Sequence, residues 1–158
     1  MKNLLFIPCY NDTKNLRKLL IEINLIYKSK FDILVVNDGS VKEVLLIKKN
    51  KNIKIINLKY NYGIGFCLKF AIKYALENNY KKFCRIDSDG EHHPKYIKDI
   101  FKMLNLNDFI LGDRKILFKQ SYFKIASKKT INLIINKLFG LKIDDYNCGM
   151  MGLKVNAM

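Results

Sequence analysis

Phe83-Cys84-Arg85-Ile86-Asp87-Ser88-Asp89-Gly90-Glu91 is a short apolar run that ends abruptly in two carboxylates spaced i, i+2, then a glycine and a third carboxylate. Read as a strand, it places Asp87 and Asp89 on the same side, roughly 7 Å apart along the chain. Carboxylates held that close repel each other, and a divalent cation beside them removes the conflict. A second reading stands open on this segment alone: Asp89-Gly90 makes a turn and Asp87 caps the following helix.

The neighbouring sequence decides the setting of this stretch. Residues 3–8 read as a buried strand, and Cys9-Tyr10-Asn11-Asp12-Thr13 breaks it, with Asn11 or Thr13 placed to cap a helix. From 14 to 27, Leu16, Leu19, Leu20, Ile23 and Ile26 recur at three- and four-residue intervals, which predicts an amphipathic helix. A second apolar run at 31–36 ends in Asn37-Asp38-Gly39-Ser40, a short helix is expected through Val44, Leu45 and Ile47, and a third strand at 53–58. Asn61-Tyr62-Gly63-Ile64-Gly65 opens a helix reaching about Leu76. After the fourth strand, 83–86, Pro94 suits the first turn of a helix ending near Leu104, and 109–111 is a fifth strand running into Gly112-Asp113-Arg114. Strand and helix alternate without repeat or linker, which predicts one α/β domain with helices on both faces of a mostly parallel sheet.

Ligands of such sheets bind outside the carboxyl ends of the strands. The polar clusters Pro8–Asp12, Asn37–Ser40, Asp87–Glu91 and Gly112–Arg114 each follow an apolar strand directly, so they gather there. A nucleotide-type ligand is the natural occupant.

At 158 residues and 49% apolar content, the chain is large enough for a real core. No run of eighteen apolar residues occurs, and the apolar part of the N-terminus is too short for a secretion signal, so a cytoplasmic location is expected. Cys9, Cys67, Cys84 and Cys148 form no C-x-x-C pair, which predicts reduced, partly buried thiols and argues against zinc. The net charge of +15 invites a nucleic-acid reading. Only Arg17, Arg85 and Arg114 are arginine, however, and the lysines are spread along the whole chain, whereas nucleic-acid readers lean on arginine. The charge still favours anionic surfaces, including lipid headgroups. A helix expected over 122–139 is either packed on the sheet or laid on anionic lipid. A last strand-like run, 153–155, stands close to the C-terminus, so the domain is expected to be truncated there.

Six stretches, in this order and spacing, carry a resemblance: I-P-C-Y-N-D (7–12), V-V-N-D-G-S (35–40), N-Y-G-I-G (61–65), D-S-D-G-E-H-H-P (87–94), L-G-D-R (111–114) and D-Y-N-C-G-M (145–150). Together they resemble a family-2 glycosyltransferase of the GT-A fold, a Rossmann-like three-layer α/β/α sandwich, and within it the polyprenyl-phosphate branch of the dolichol-phosphate mannose synthase type. The resemblance implies that Pro8, Tyr10 and Asp12 line the pocket for base and ribose, with Asp12 where the family usually has glutamate. It implies that Asp38 hydrogen-bonds the base, that Asn37 replaces the first aspartate of the usual pair, and that Asn61, Gly63 and Ser88 belong to the donor site. Asp87 and Asp89 match the D-x-D element, Asp89 being the stronger metal ligand, and Glu91 adds a third oxygen suited to Mg²⁺ or Mn²⁺. His92 matches a structural histidine of the family, and His93 is read as an exposed cap.

The implied reaction moves a sugar from a nucleoside-diphosphate sugar, UDP- or GDP-linked, to a lipid phosphate or a glycan, with inversion and with peripheral membrane association. Arg114 is placed to bind a phosphate bidentately. Asp145, with Asp144 second, is placed as general base toward an alcohol, or as an orienting group toward an already anionic lipid phosphate. Rival readings are a nucleotidyltransferase, a basic nucleic-acid- or lipid-binding domain, and a donor-binding domain without turnover. The segment 9–12 has no glycine- and basic-rich phosphate loop, which counts against the first, and G-x-x-x-x-G-K-[ST] occurs nowhere, which counts against a P-loop enzyme.

Overall fold

The computed structural model describes residues 2–42, 50–113, 132–133, 136–138, 140, 145 and 148–157. Strand β1 spans Asn3–Cys9, helix α1 Thr13–Tyr27, β2 Asp32–Asn37, β3 Ile53–Asn57, α2 Ile64–Glu77 and β4 Lys82–Arg85. A 3-10 turn, Pro94–Tyr96, leads into α3, Ile97–Met103, followed by β5, Phe109–Leu111, β6, Met151–Lys154, and a closing 3-10 turn, Val155–Ala157. The expected short helix through Val44 and Ile47 lies outside the described residues, as does most of the one over 122–139, of which 132–133 and 136–138 are helical.

The six strands are ordered β3-β2-β1-β4-β6-β5. The pairs β1–β2, β1–β4 and β2–β3 are parallel, and β6 runs antiparallel to β4, with Arg85 opposite Met151. Strand alternation sends Leu4, Phe6, Leu34, Val36 and Phe83 to one face, where Cys67, Ala71 and Ala75 of α2 pack on them. The small residues of α2 let the helix sit close to the sheet. The opposite face carries α1 and α3, joined through Phe31, whose ring lies 5.0 Å from Tyr27 and 5.5 Å from Phe101. These are the three layers expected from the sequence. By backbone contacts the chain forms two compact units, Met1–Ile110 with Gly149–Met158, and Leu111–Cys148.

One local expectation is corrected. Asp12, not Asn11 or Thr13, holds the N-cap position of α1, and it makes no side-chain capping bond. Asn11 is instead in the left-handed region, φ 52°, where its amide donates to Ser40 Oγ (2.8 Å) and its Oδ1 accepts from the Val41 amide (3.1 Å). The helix expected from Pro94 to Leu104 is present, its first turn Pro94–Tyr96 wound as a 3-10 turn that continues into α3, and Tyr27 holds that first turn. Its buried hydroxyl donates toward the carbonyls of Pro94 and Lys95, both at 2.9 Å, and accepts the Lys98 amide at 3.2 Å.

Lys82, a charged residue inside the sheet, is buried because its ammonium donates to the Phe101 carbonyl (2.8 Å) and to Asn105 Oδ1, capping the C-terminal end of α3. Removing either anchor leaves buried backbone groups without partners. Tyr27→Phe and Lys82→Met are each expected to destabilise the fold by about 1–3 kcal/mol, lowering Tm in a thermal melt by about 2–4 °C per kcal/mol.

Candidate functional site

Because β1, β2 and β4 are parallel, their carboxyl ends emerge on one edge of the sheet and bring three distant loops together. Between those loops and the start of α2 lies a cleft of about 380 Å³. Pro8, Tyr10 and Asp12 line it from β1, Asp38 from β2, Asn61 and Gly63 from the loop before α2, and Asp87, Ser88 and Asp89 from β4. The residues expected for base, ribose and diphosphate therefore share one cavity. Residues that the sequence reading did not assign also line it: Cys9, Ile64, Cys67 and Arg85.

Asp38 organises the base side. It is buried, and its carboxylate accepts the Tyr62 amide on Oδ1 and the Gly63 amide on Oδ2, each at 2.8 Å. Each oxygen keeps capacity for a further donor, so the group both holds the loop and presents an acceptor to the cleft. Behind it, Asn37 is also buried, donating from Nδ2 to Asn57 Oδ1 (2.8 Å) and accepting the Ser40 hydroxyl. That donation explains why an amide serves at position 37, since a carboxylate has no N–H to give. Gly39, at φ +68°, is packed so tightly that a Cβ there would stand 2.4 Å from the Tyr60 carbonyl carbon. Only glycine fits. The Cys67 thiol, buried beside Asp38, is pushed up to about 12, chiefly by desolvation, so it stays protonated.

The diphosphate side differs from the simplest sequence reading. Strand β4 ends at Arg85, so Asp87 and Asp89 do not project from one strand. Asp89 sits on an exposed turn with Gly90 at φ +81°, and its Oδ1 accepts the Glu91 amide at 2.9 Å. Asp87 is paired: the Arg85 guanidinium forks onto it, Nε to Oδ1 at 2.9 Å, and the other nitrogen to Oδ1 at 2.8 Å and Oδ2 at 3.0 Å. Burial nevertheless pushes the Asp87 carboxyl above the usual carboxylate range, against the opposing pull of Arg85 and with a further push from Asp89. Gly149, just before β6, lies so close that a Cβ would stand 2.1 Å from Asp87 Oδ2. The signal for Arg85 was in the sequence, since the same i, i+2 spacing links it to Asp87.

Ser88 ties the two sides together by donating to Asp12 Oδ2 at 3.3 Å. Glu91 is exposed beyond the turn and does not line the cleft. His93 is the expected exposed cap: its Nδ1 accepts the Lys95 amide at 3.2 Å and its Nε2 lies 3.5 Å from Glu22. His92 lies near Asp87 and adds a small pull against the effect of burial on that carboxyl. Arg114 and Asp144 lie outside the described residues. Asp145 is buried in the second unit, its carbonyl accepting the Cys148 amide at 3.3 Å. All four cysteines are buried free thiols. Among the described residues, no three His, Cys, Asp or Glu side chains form a complete metal cage, and no helix is long and apolar enough to cross a membrane.

Comparison with known proteins agrees with this geometry. An undecaprenyl-phosphate 4-deoxy-4-formamido-L-arabinose transferase of Proteus mirabilis is 26% identical over 90% of this chain and 45% of its own length. This chain spans about half the length of curated relatives of this kind. TarS of S. aureus, solved with UDP-GlcNAc, superposes over 78% of this chain and 38% of its own, with TM-score 0.56 and 28% identity. Glucosyl-3-phosphoglycerate synthase of Mycobacterium tuberculosis, solved with Mn²⁺ and UDP-glucose, covers 98% of this chain and 56% of its own at TM-score 0.68 and 11% identity, which shows a shared GT-A fold. Residues 5–158 match the profile of glycosyl transferase family 2, and the chain belongs to that family.

Proposed function

We propose that the cleft binds a nucleoside-diphosphate sugar together with a divalent cation, and that the chain serves in inverting transfer of the sugar. The carrying observation is the charge of the cavity. Asp12, Asp38, Asp87 and Asp89 face it with Arg85 as the single cationic side chain among the described lining residues. A diphosphate entering such a site meets net repulsion unless a cation comes with it.

The residues fit that cation in one particular way. Mg²⁺ and similar ions bind through one or two carboxylates and complete their shell with substrate phosphates and water. Asp89 and Asp87 are the candidate ligands, with Glu91 beyond the Asx turn, and the lack of a complete three-residue cage among the described residues suits an ion that arrives with the diphosphate. When bound, the ion neutralises charge on the departing nucleoside diphosphate. Arg85 fixes the Asp87 carboxylate, Asp38 and Asn61 face the base side, and the bond between Ser88 and Asp12 spans the cleft.

Inversion requires the acceptor to attack opposite the leaving group. Asp145 is proposed as the general base for an alcohol acceptor, or as an orienting group for a lipid phosphate, and Arg114 as a phosphate ligand. The undecaprenyl phosphate in the Proteus mirabilis relative's name supports the lipid-phosphate acceptor. The UDP-GlcNAc complex of TarS supports UDP as the donor nucleotide.

Titration calorimetry with UDP-GlcNAc, UDP-glucose and GDP-mannose is expected to give binding of at least one sugar nucleotide with Mn²⁺ or Mg²⁺, and none in EDTA. Absence of metal-dependent binding for every donor contradicts the proposal. Asp89→Ala is expected to weaken the metal-dependent binding by at least about tenfold with Tm within about 1–2 °C, because the residue is on an exposed turn. Asp38→Asn is expected to lower both Tm and affinity, since its new amide group meets the Tyr62 or Gly63 N–H and costs about 1–3 kcal/mol.

A further inference from the structure

Arg85 stands at the carboxyl end of β4 and is the single cationic side chain among the described residues that line the cleft. Its guanidinium is turned onto a neighbour. Nε and one terminal nitrogen make three hydrogen bonds to Asp87, at 2.8 to 3.0 Å, and cover both carboxylate oxygens. The pair is largely shielded from water, with 16% of the Arg85 and 26% of the Asp87 side-chain surface exposed. Salt therefore screens it little, and parting the two without replacement partners is costly for both.

Packing decides which of the two can move. The Asp87 carboxylate is wedged, because Gly149 stands so close that a Cβ there would lie 2.1 Å from Oδ2 and 2.6 Å from the carboxyl carbon. Arg85 reaches it through a long, flexible stem, and a planar guanidinium fork fits a phosphate as well as a carboxylate. The guanidinium can change partners while the carboxylate keeps its place.

A dication and a diphosphate together supply what each group would lack on separation. A dication alone would approach Asp87 against the charge of Arg85. A diphosphate alone would meet Arg85 against the charges of Asp12, Asp38, Asp87 and Asp89. When both arrive, Asp87 gains a positive partner and Arg85 an anionic one, so neither is left unpaired. We propose that Arg85 is a diphosphate ligand held in reserve on Asp87, and that it passes to the diphosphate as Asp87 accepts the cation. Arg85 thereby makes the binding of cation and diphosphate mutually dependent. This inference rests on the reading of the cleft as a site for a cation and a nucleoside diphosphate, and it adds to that reading a phosphate-binding residue besides Arg114.

Loss of the Arg85 charge acts on the two affinities with opposite signs. In Arg85→Gln, Mn²⁺ alone is expected to bind at least about threefold tighter by electron paramagnetic resonance, because a positive neighbour has left the carboxylates. The affinity of that variant for UDP in saturating Mn²⁺, read by calorimetry, is expected to fall at least about tenfold. Arg85→Lys keeps the charge and loses the fork, so its UDP affinity is expected between those of the wild type and Arg85→Gln, with Mn²⁺ alone bound within about twofold of the wild type. A residue that only supports the fold would lower both affinities together, and that result for Arg85→Gln overturns the inference. Unchanged Mn²⁺ binding or unchanged UDP binding in Arg85→Gln, beside a wild type that binds UDP with Mn²⁺, overturns this inference alone. A wild type that binds no UDP with Mn²⁺ overturns the donor reading and the inference with it.

Discussion

Four carboxylates converge on a cleft that holds one guanidinium, and much else in the molecule follows from managing that concentration of charge. Each aspartate has a distinct arrangement. Asp38 accepts two backbone amides, Asp12 takes the Ser88 hydroxyl, Asp87 is clasped by Arg85, and Asp89 stands on a solvated turn. An isolated buried carboxylate would destabilise the fold, and these hydrogen-bond and ion-pair partners offset that cost. The surplus that remains is what a divalent cation and a diphosphate can offset together.

The parallel sheet makes that convergence possible. Residues far apart in sequence meet because β1, β2 and β4 end on the same edge. Tyr27 and Lys82 act far from the cleft, yet they anchor the turn and helix that follow the Asp87–Glu91 segment. Gly39 and Gly149 are the opposite kind of constraint, since they matter by having no side chain where backbone meets Tyr60 or the Asp87 carboxylate.

Much of this was legible from local pattern. Alternation of apolar residues announced the strands, three- and four-residue recurrence announced α1 and α2, and polar clusters after strands marked Asp12, Asp38 and Asp87 as neighbours. Less legible was whatever depends on partners across the fold. The Arg85–Asp87 fork shares the i, i+2 spacing of the two aspartates, but choosing between those pairs requires knowing that β4 stops at Arg85. The 3-10 winding of the first turn after Pro94 is held by the hydroxyl of Tyr27, a residue whose own helix gives no hint of it. Gly149 reaches Asp87 only through the antiparallel register of β6 on β4.

A carboxylate cleft of this kind should accept a diphosphate only together with a divalent cation, and electron paramagnetic resonance of Mn²⁺ reads that coupling directly. Mn²⁺ is titrated with the chain alone and then with UDP. Weak Mn²⁺ binding to the protein alone is predicted, and a tight ternary complex once UDP is added, with ³¹P coupling from the bound diphosphate. UDP binding of equal strength in the presence of EDTA, or a ternary complex without ³¹P coupling, would contradict it.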